Sequence, residues 1–138
     1  MSKTSRLASL ETAARKVREL AYAPYSNFQV GAALESTSGE VFTGCNVENI
    51  SFGLTICAER NAVFAAIAVG VRSFRRIVVV ADSKEPVTPC GACRQVIAEF
   101  AEKIEIICIN LQGHKFRAKL SELLPRSKVG ILDHACST

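Results

Sequence analysis

The stretch CAERNAVFAAIAVGVRSFRRIVVVA, residues 57–81, decides the fold. Ala58 to Val69 is rich in alanine (Ala62, Ala65, Ala66, Ala68), which favours a helix, and Gly70 can end it. Ile77 to Ala81 is wholly apolar and mostly β-branched, the pattern of a strand covered on both faces. The same pair recurs downstream: Gly91 to Glu102 predicts a helix and Ile104 to Asn110 a second buried strand.

Upstream, Leu10, Ala13, Ala14, Val17 and Leu20 recur at helical spacing, predicting a helix over Ser9–Ala21 capped by Ser9. Tyr22 to Asn27 contains Pro24 and is a turn or loop. Phe28–Glu35 and Glu40–Cys45 form two strands of a hairpin around Ser38-Gly39, and a polar loop, Asn46–Thr55, follows. Downstream, Gln112-Gly113 is a turn, Lys115–Leu120 alternates like an outer strand, and Ser121–Leu124 forms a helical turn before Pro125. This order predicts an α/β protein: a three-layer α/β/α sandwich around a five-stranded mixed sheet. Both strand-to-strand crossovers through helices should be parallel and right-handed, and the last strand antiparallel. No repeat or Gly/Ser-rich linker divides the chain, so residues 1–138 are expected to form a single domain, with His134–Thr138 as a frayed tail.

The net charge of +4, from 17 basic and 13 acidic residues, is mild and scattered, there is no Trp, and no dense basic patch is interleaved with aromatics. Polynucleotide binding is therefore not expected. No apolar run approaches a membrane span, and Met1–Leu20 lacks an apolar signal-peptide core, so the expected location is cytoplasmic. In that compartment cysteines point to metal or redox chemistry before disulfides.

Of the six cysteines, Cys57 in Cys57-Ala58-Glu59 and the pair in Pro89-Cys90-Gly91-Ala92-Cys93 stand out. Three thiolates can hold one zinc ion and leave the fourth tetrahedral position open to water, as a catalytic site requires. All three lie at predicted helix starts, where each helix offers roughly +0.5 charge against the excess negative charge of three sulfurs. Arg60 is placed to offset more by bonding to sulfur and so to tune the metal. Glu59, close by but not a ligand, is placed for general acid-base work. This arrangement resembles the signature of zinc-dependent deaminases. A CxxC pair by itself also suits a redox site or half of a structural zinc site. Cys45 and Cys108, in or beside apolar strands, are expected to be buried fillers, Cys136 incidental, and His114 and His134 solvated.

Beyond the zinc motifs the chain carries Tyr25-Ser26-Asn27-Phe28-Gln29-Val30-Gly31-Ala32-Ala33-Leu34, Gly44-Cys45-Asn46-Val47-Glu48-Asn49 and Glu122-Leu123-Leu124-Pro125. With these motifs it resembles the small, tetrameric, three-cysteine cytidine deaminases over nearly its whole length. The resemblance implies one zinc per chain on Cys57, Cys90 and Cys93, proton transfer by Glu59, and a thiolate-bonding Arg60. It implies that Phe28 stacks on the pyrimidine, that Asn46 and Glu48 grip the ribose 3′-hydroxyl, and that Ala58 and Tyr25 complete the substrate-binding set. It implies hydrolysis of cytidine or deoxycytidine at C4, releasing ammonia, and a homotetramer. One departure stands out: where the family often has Phe reaching a neighbouring subunit's pocket, this chain has Lys128, expected to be a solvated terminal charge. Rival readings are a deaminase of another aminopyrimidine such as blasticidin S, a polynucleotide deaminase, and a non-catalytic structural zinc module.

Overall fold

The apolar run around Ile77 becomes the middle of the sheet. In the computed structural model, which describes residues 2–129, the chain runs α1 (Lys3–Arg18), β1 (Val30–Ser36), β2 (Val41–Cys45), α2 (Ala58–Ala68), β3 (Phe74–Ala81), α3 (Gly91–Phe100), β4 (Glu105–Asn110), β5 (Lys115–Lys119) and α4 (Leu120–Leu123). A 3-10 turn at Phe52–Leu54 interrupts the loop before α2. The five strands lie in the order β2-β1-β3-β4-β5.

Alternate residues of the central strands face opposite ways and are buried on both sides. Ala32, Leu34, Ile77, Val79, Ile106 and Cys108 pack with Ala58, Ala62, Val63 and Ala66 of α2 and Ile97 and Ala98 of α3. Ala33, Val78, Val80, Ile107 and Ile109 pack with Leu10 and Ala14 of α1. Each such Val, Leu or Ile removed from water contributes about 1.5–3 kcal/mol. The three layers are those expected from the sequence. β5 has largely exposed residues, as befits an edge strand.

The strand pairing adds one feature to the expectation. β3 and β4 are parallel, and β5 runs antiparallel to β4, as predicted. β2 and β3 also point the same way, but β1 lies between them, antiparallel to both. The crossover through α2 therefore skips a strand. Its effect is to bring Cys45, at the end of β2, and Ala81, at the end of β3, to one sheet edge on either side of the start of β1. The loops leading into α2 and α3 leave from that edge, the usual place for a site in an α/β sheet.

The start of α1 also differs. Ser2, not Ser9, caps it by accepting a hydrogen bond from the Ser5 N–H at 3.1 Å. Ser9 lies inside the helix and the cap Glu19 ends it before Ala21. The first turn is polar and exposed, so hydrophobic spacing does not mark it. Close approach is set by glycine at two points. A Cβ on Gly44 of β2 would stand 2.4 Å from the Ala62 nitrogen and 2.5 Å from the Ala58 oxygen, and one on Gly31 of β1 would stand 2.1 Å from the Ala14 oxygen.

Candidate active site

α2 and α3 each begin with a cysteine in extended conformation, Cys57 and Cys90, as the residue before the first helical turn. Cys93 sits in the first turn of α3 and is fully buried, and its N–H donates to the Cys90 sulfur at 3.4 Å. The three sulfurs lie within 4.8 Å of one another, with Cys57 and Cys90 3.9 Å apart. Sulfurs at two corners of a tetrahedral zinc site with bonds near 2.3 Å are separated by about 3.8 Å. No fourth Cys, His, Asp or Glu atom joins the group among the described residues. The donor set therefore fits one zinc ion and leaves a coordination position to water, against the reading as a sealed structural site.

The charges favour a cation there. Hydrogen bonding to Cys93, aided by Arg60, draws the Cys57 thiol down to about 5 despite its burial. The same bond and burial push Cys93 far above the ordinary thiol range. One thiol can thus ionise only at its neighbour's cost, and a divalent ion relieves that conflict. The Arg60 guanidinium donates from Nη2 to the Cys57 sulfur at 3.5 Å, where the sequence places it. Glu59 follows in the first turn of α2, 5% exposed, and burial first, then the Cys57 thiolate, push its carboxyl up to about 7.

The trio opens onto a cavity of about 230 Å³, lined by Phe28, Val30, Asn46, Glu48, Cys57, Ala58, Glu59, Val79 and Cys90 with Ser26, Thr55, Val87 and Thr88. Every residue singled out for substrate binding except Tyr25 is on that wall. Tyr25 stands in the adjoining depression with Phe52, the rings edge to face at 5.8 Å. Asn46 and Glu48 do more than the sequence discloses. The Val30 N–H donates to Asn46 Oδ1, and Asn46 Nδ2 donates to the Phe28 carbonyl, both at 2.8 Å. Glu48 Oε1 accepts from the N–H groups of Tyr25 and Ser26 at 3.0 and 3.1 Å, and Oε2 accepts from the Ser26 hydroxyl. The Phe28 N–H in turn donates to Ser26 Oγ at 3.0 Å. The pair thereby fastens the loop that carries Phe28, with Asn27 in the left-handed conformation (φ 55°) that Asn tolerates.

The match to known proteins is decisive here: residues 4–109 fit the family model for the cytidine and deoxycytidylate deaminase zinc-binding region. The chain belongs to this zinc-dependent deaminase family. A cytidine deaminase of Sporosarcina psychrophila is 51% identical over 112 residues, 80% of this chain and 82% of that protein. The crystal structure of cytidine deaminase from Burkholderia pseudomallei superposes with a TM-score of 0.84 at 48% identity, covering 91% of this chain and 98% of that one. A blasticidin-S deaminase of Bacillus cereus is more distant, 31% identical over 104 residues, 70% of this chain and 74% of that protein. Family membership removes the redox reading of the CxxC pair.

Cys108 is buried, and burial pushes its thiol up to about 12, so it stays a neutral filler. Cys45 is half-exposed, not buried as expected, because β2 is an edge strand; its carbonyl accepts from Asn61 Nδ2 at 2.8 Å. Lys128 is exposed and pairs with Glu102 at 3.1 Å. His114 is exposed, while Cys136 and His134 lie outside the described residues. Sequence reading missed Ser26, whose hydroxyl links Glu48 to the Phe28 N–H.

Proposed function

We propose that this protein hydrolyses the exocyclic amine of free cytidine and deoxycytidine, giving uridine or deoxyuridine and ammonia. The observation that carries the reading is the juxtaposition of an open three-sulfur centre, a buried carboxyl beside it and a cavity of about 230 Å³. Zinc held by Cys57, Cys90 and Cys93 supplies Lewis-acid activation of water. Glu59 takes the proton that water gives up and delivers protons to the ring N3 and to the departing amine. Burial raises its pKa to about 7, which suits a group that must both accept and donate a proton. Phe28 lies against the pyrimidine face, and Val79 and Ala58 supply apolar walls that exclude bulk water. Asn46 and Glu48, fixed by their bonds to the 25–30 backbone, keep amide hydrogen and carboxylate lone-pair capacity for a sugar hydroxyl. Arg60 withdraws charge from the Cys57 sulfur.

A cytidine-type nucleoside is favoured over blasticidin S by the higher identity to cytidine deaminases, 51% against 31%. The chain is read as one domain over residues 1–138, acting in the cytoplasm in pyrimidine salvage on small nucleosides and not on polynucleotides. A homotetramer is supported by the exposure of Ile50 (79%), Phe52 (72%) and Leu54 (65%) along one loop beside the site, an apolar surface that assembly would cover. No helix among the described residues is long and apolar enough to cross a membrane.

The test is ultraviolet absorbance of purified protein with cytidine, deoxycytidine, cytosine and blasticidin S, with light scattering for the mass in solution. Turnover of the two nucleosides with little on cytosine supports the proposal. Zinc content without turnover, or turnover of blasticidin S alone, rejects it.

A further inference from the structure

Cys90 is the most exposed of the three metal donors, and it ends a strap, residues 82–90, that has no regular structure and contains Pro86 and Pro89. Packing alone holds such a donor weakly. Arg94 lies one turn further along α3, and helical side chains lean back toward the N-terminus. Its guanidinium therefore returns over the strap. Nε donates to the Pro89 carbonyl at 2.7 Å, Nη2 to the Thr88 hydroxyl at 3.1 Å, and Nη1 to the Leu123 carbonyl at 3.0 Å. The fork thus joins three segments: the two residues before Cys90, the helix that carries Cys93, and the end of α4. A lysine could not span them, because only the planar guanidinium presents several N–H groups in fixed directions.

We propose that Arg94 is a positioning residue for the metal centre, locking Cys90 in place by tying its strap to α3 and to the end of α4. The inference rests on the three cysteines as the metal-holding group and on no assumption about substrate. Groups that orient metal ligands from behind typically govern affinity by 10–100-fold. They act here on how long the metal stays.

The experiment follows zinc release from the holoenzyme to a chromophoric chelator. Arg94→Met should release zinc roughly 10-fold faster or more, and Arg94→Lys should restore only part of the difference. The cobalt-loaded Arg94→Met protein should show weaker sulfur-to-cobalt charge-transfer absorbance, because one thiolate is less firmly held. Arg15→Met is the control for general loss of a clamp. Arg15 likewise donates to two carbonyls, of Asn110 at the end of β4 and Leu111 just after it, each at 3.3 Å, on the other side of the sheet. It should lower the melting temperature without changing zinc release. Thr88→Val removes a single arm and should give a smaller acceleration if Arg94→Met folds poorly. Parental release rates in both Arg94→Met and Thr88→Val, or equal acceleration in Arg15→Met, would overturn the assignment.

Discussion

The Arg60 guanidinium stands 3.5 Å from the sulfur of Cys57, the residue just before the first turn of the helix that carries Arg60. A donor on one of three thiolates lowers the negative charge the metal receives and so favours activation of water. Arg60→Gln should reduce kcat roughly 10-fold or more while zinc content, measured by metal analysis, stays close to one per chain. Parental kcat in a zinc-loaded variant would remove Arg60 from the mechanism.

Glu59 is not needed to hold the metal, since the three sulfurs already form a complete donor set. Glu59→Ala should retain zinc and the fold, and lose about 10²–10⁴-fold in deamination rate. Loss of zinc along with activity would instead mark Glu59 as part of the metal site.

Gly44 has no room for a methyl group, with the Ala62 nitrogen only 2.4 Å from where its Cβ would be. Gly44→Ala must push α2 away from β2. A cost of about 1–3 kcal/mol or more is expected for such overpacking, read as a lower urea midpoint. Because Cys57 and Glu59 ride on the start of α2, activity should fall in the remaining folded protein as well.

Glu48 is held below the ordinary carboxylate value of 4.5, first by the Ser26 hydroxyl and then by the Ser26 and Tyr25 N–H groups, with partial burial opposing. The folded state therefore favours the ionised form. Its contribution to stability is present in full above the ordinary value and is lost as pH falls through the lowered one. The difference in urea midpoint between the parent and Glu48→Gln should be constant at neutral pH and shrink once pH drops below about 4.5. A difference that grows on acidification would contradict this account.

Local pattern carried much of the architecture. Ile77–Ala81 and the run Ile106–Ile109 within the second strand announce two-sided burial because consecutive residues in them are apolar, and the cysteine spacing with Glu59 announces an open metal site. The insertion of β1 between β2 and β3 was not legible, because pairing between distant strands depends on which faces match after collapse and leaves no local mark. Ser2 was hidden for the opposite reason: the first turn of α1 buries nothing, so no periodicity points to its start. The bonds from Asn46 and Glu48 to the 25–30 backbone were equally hidden, since carbonyl and amide groups are the same at every position and carry no signature of their own.

The three sulfur donors all precede Glu105, so β4 and β5 are the last of the five strands to be synthesised. The complete metal-binding set leaves the ribosome before the two strands that finish the platform behind it. Ile106 and Cys108 then arrive to back the helices that bear those donors. Biosynthesis supplies the ligands first and the wall that keeps them aligned afterwards.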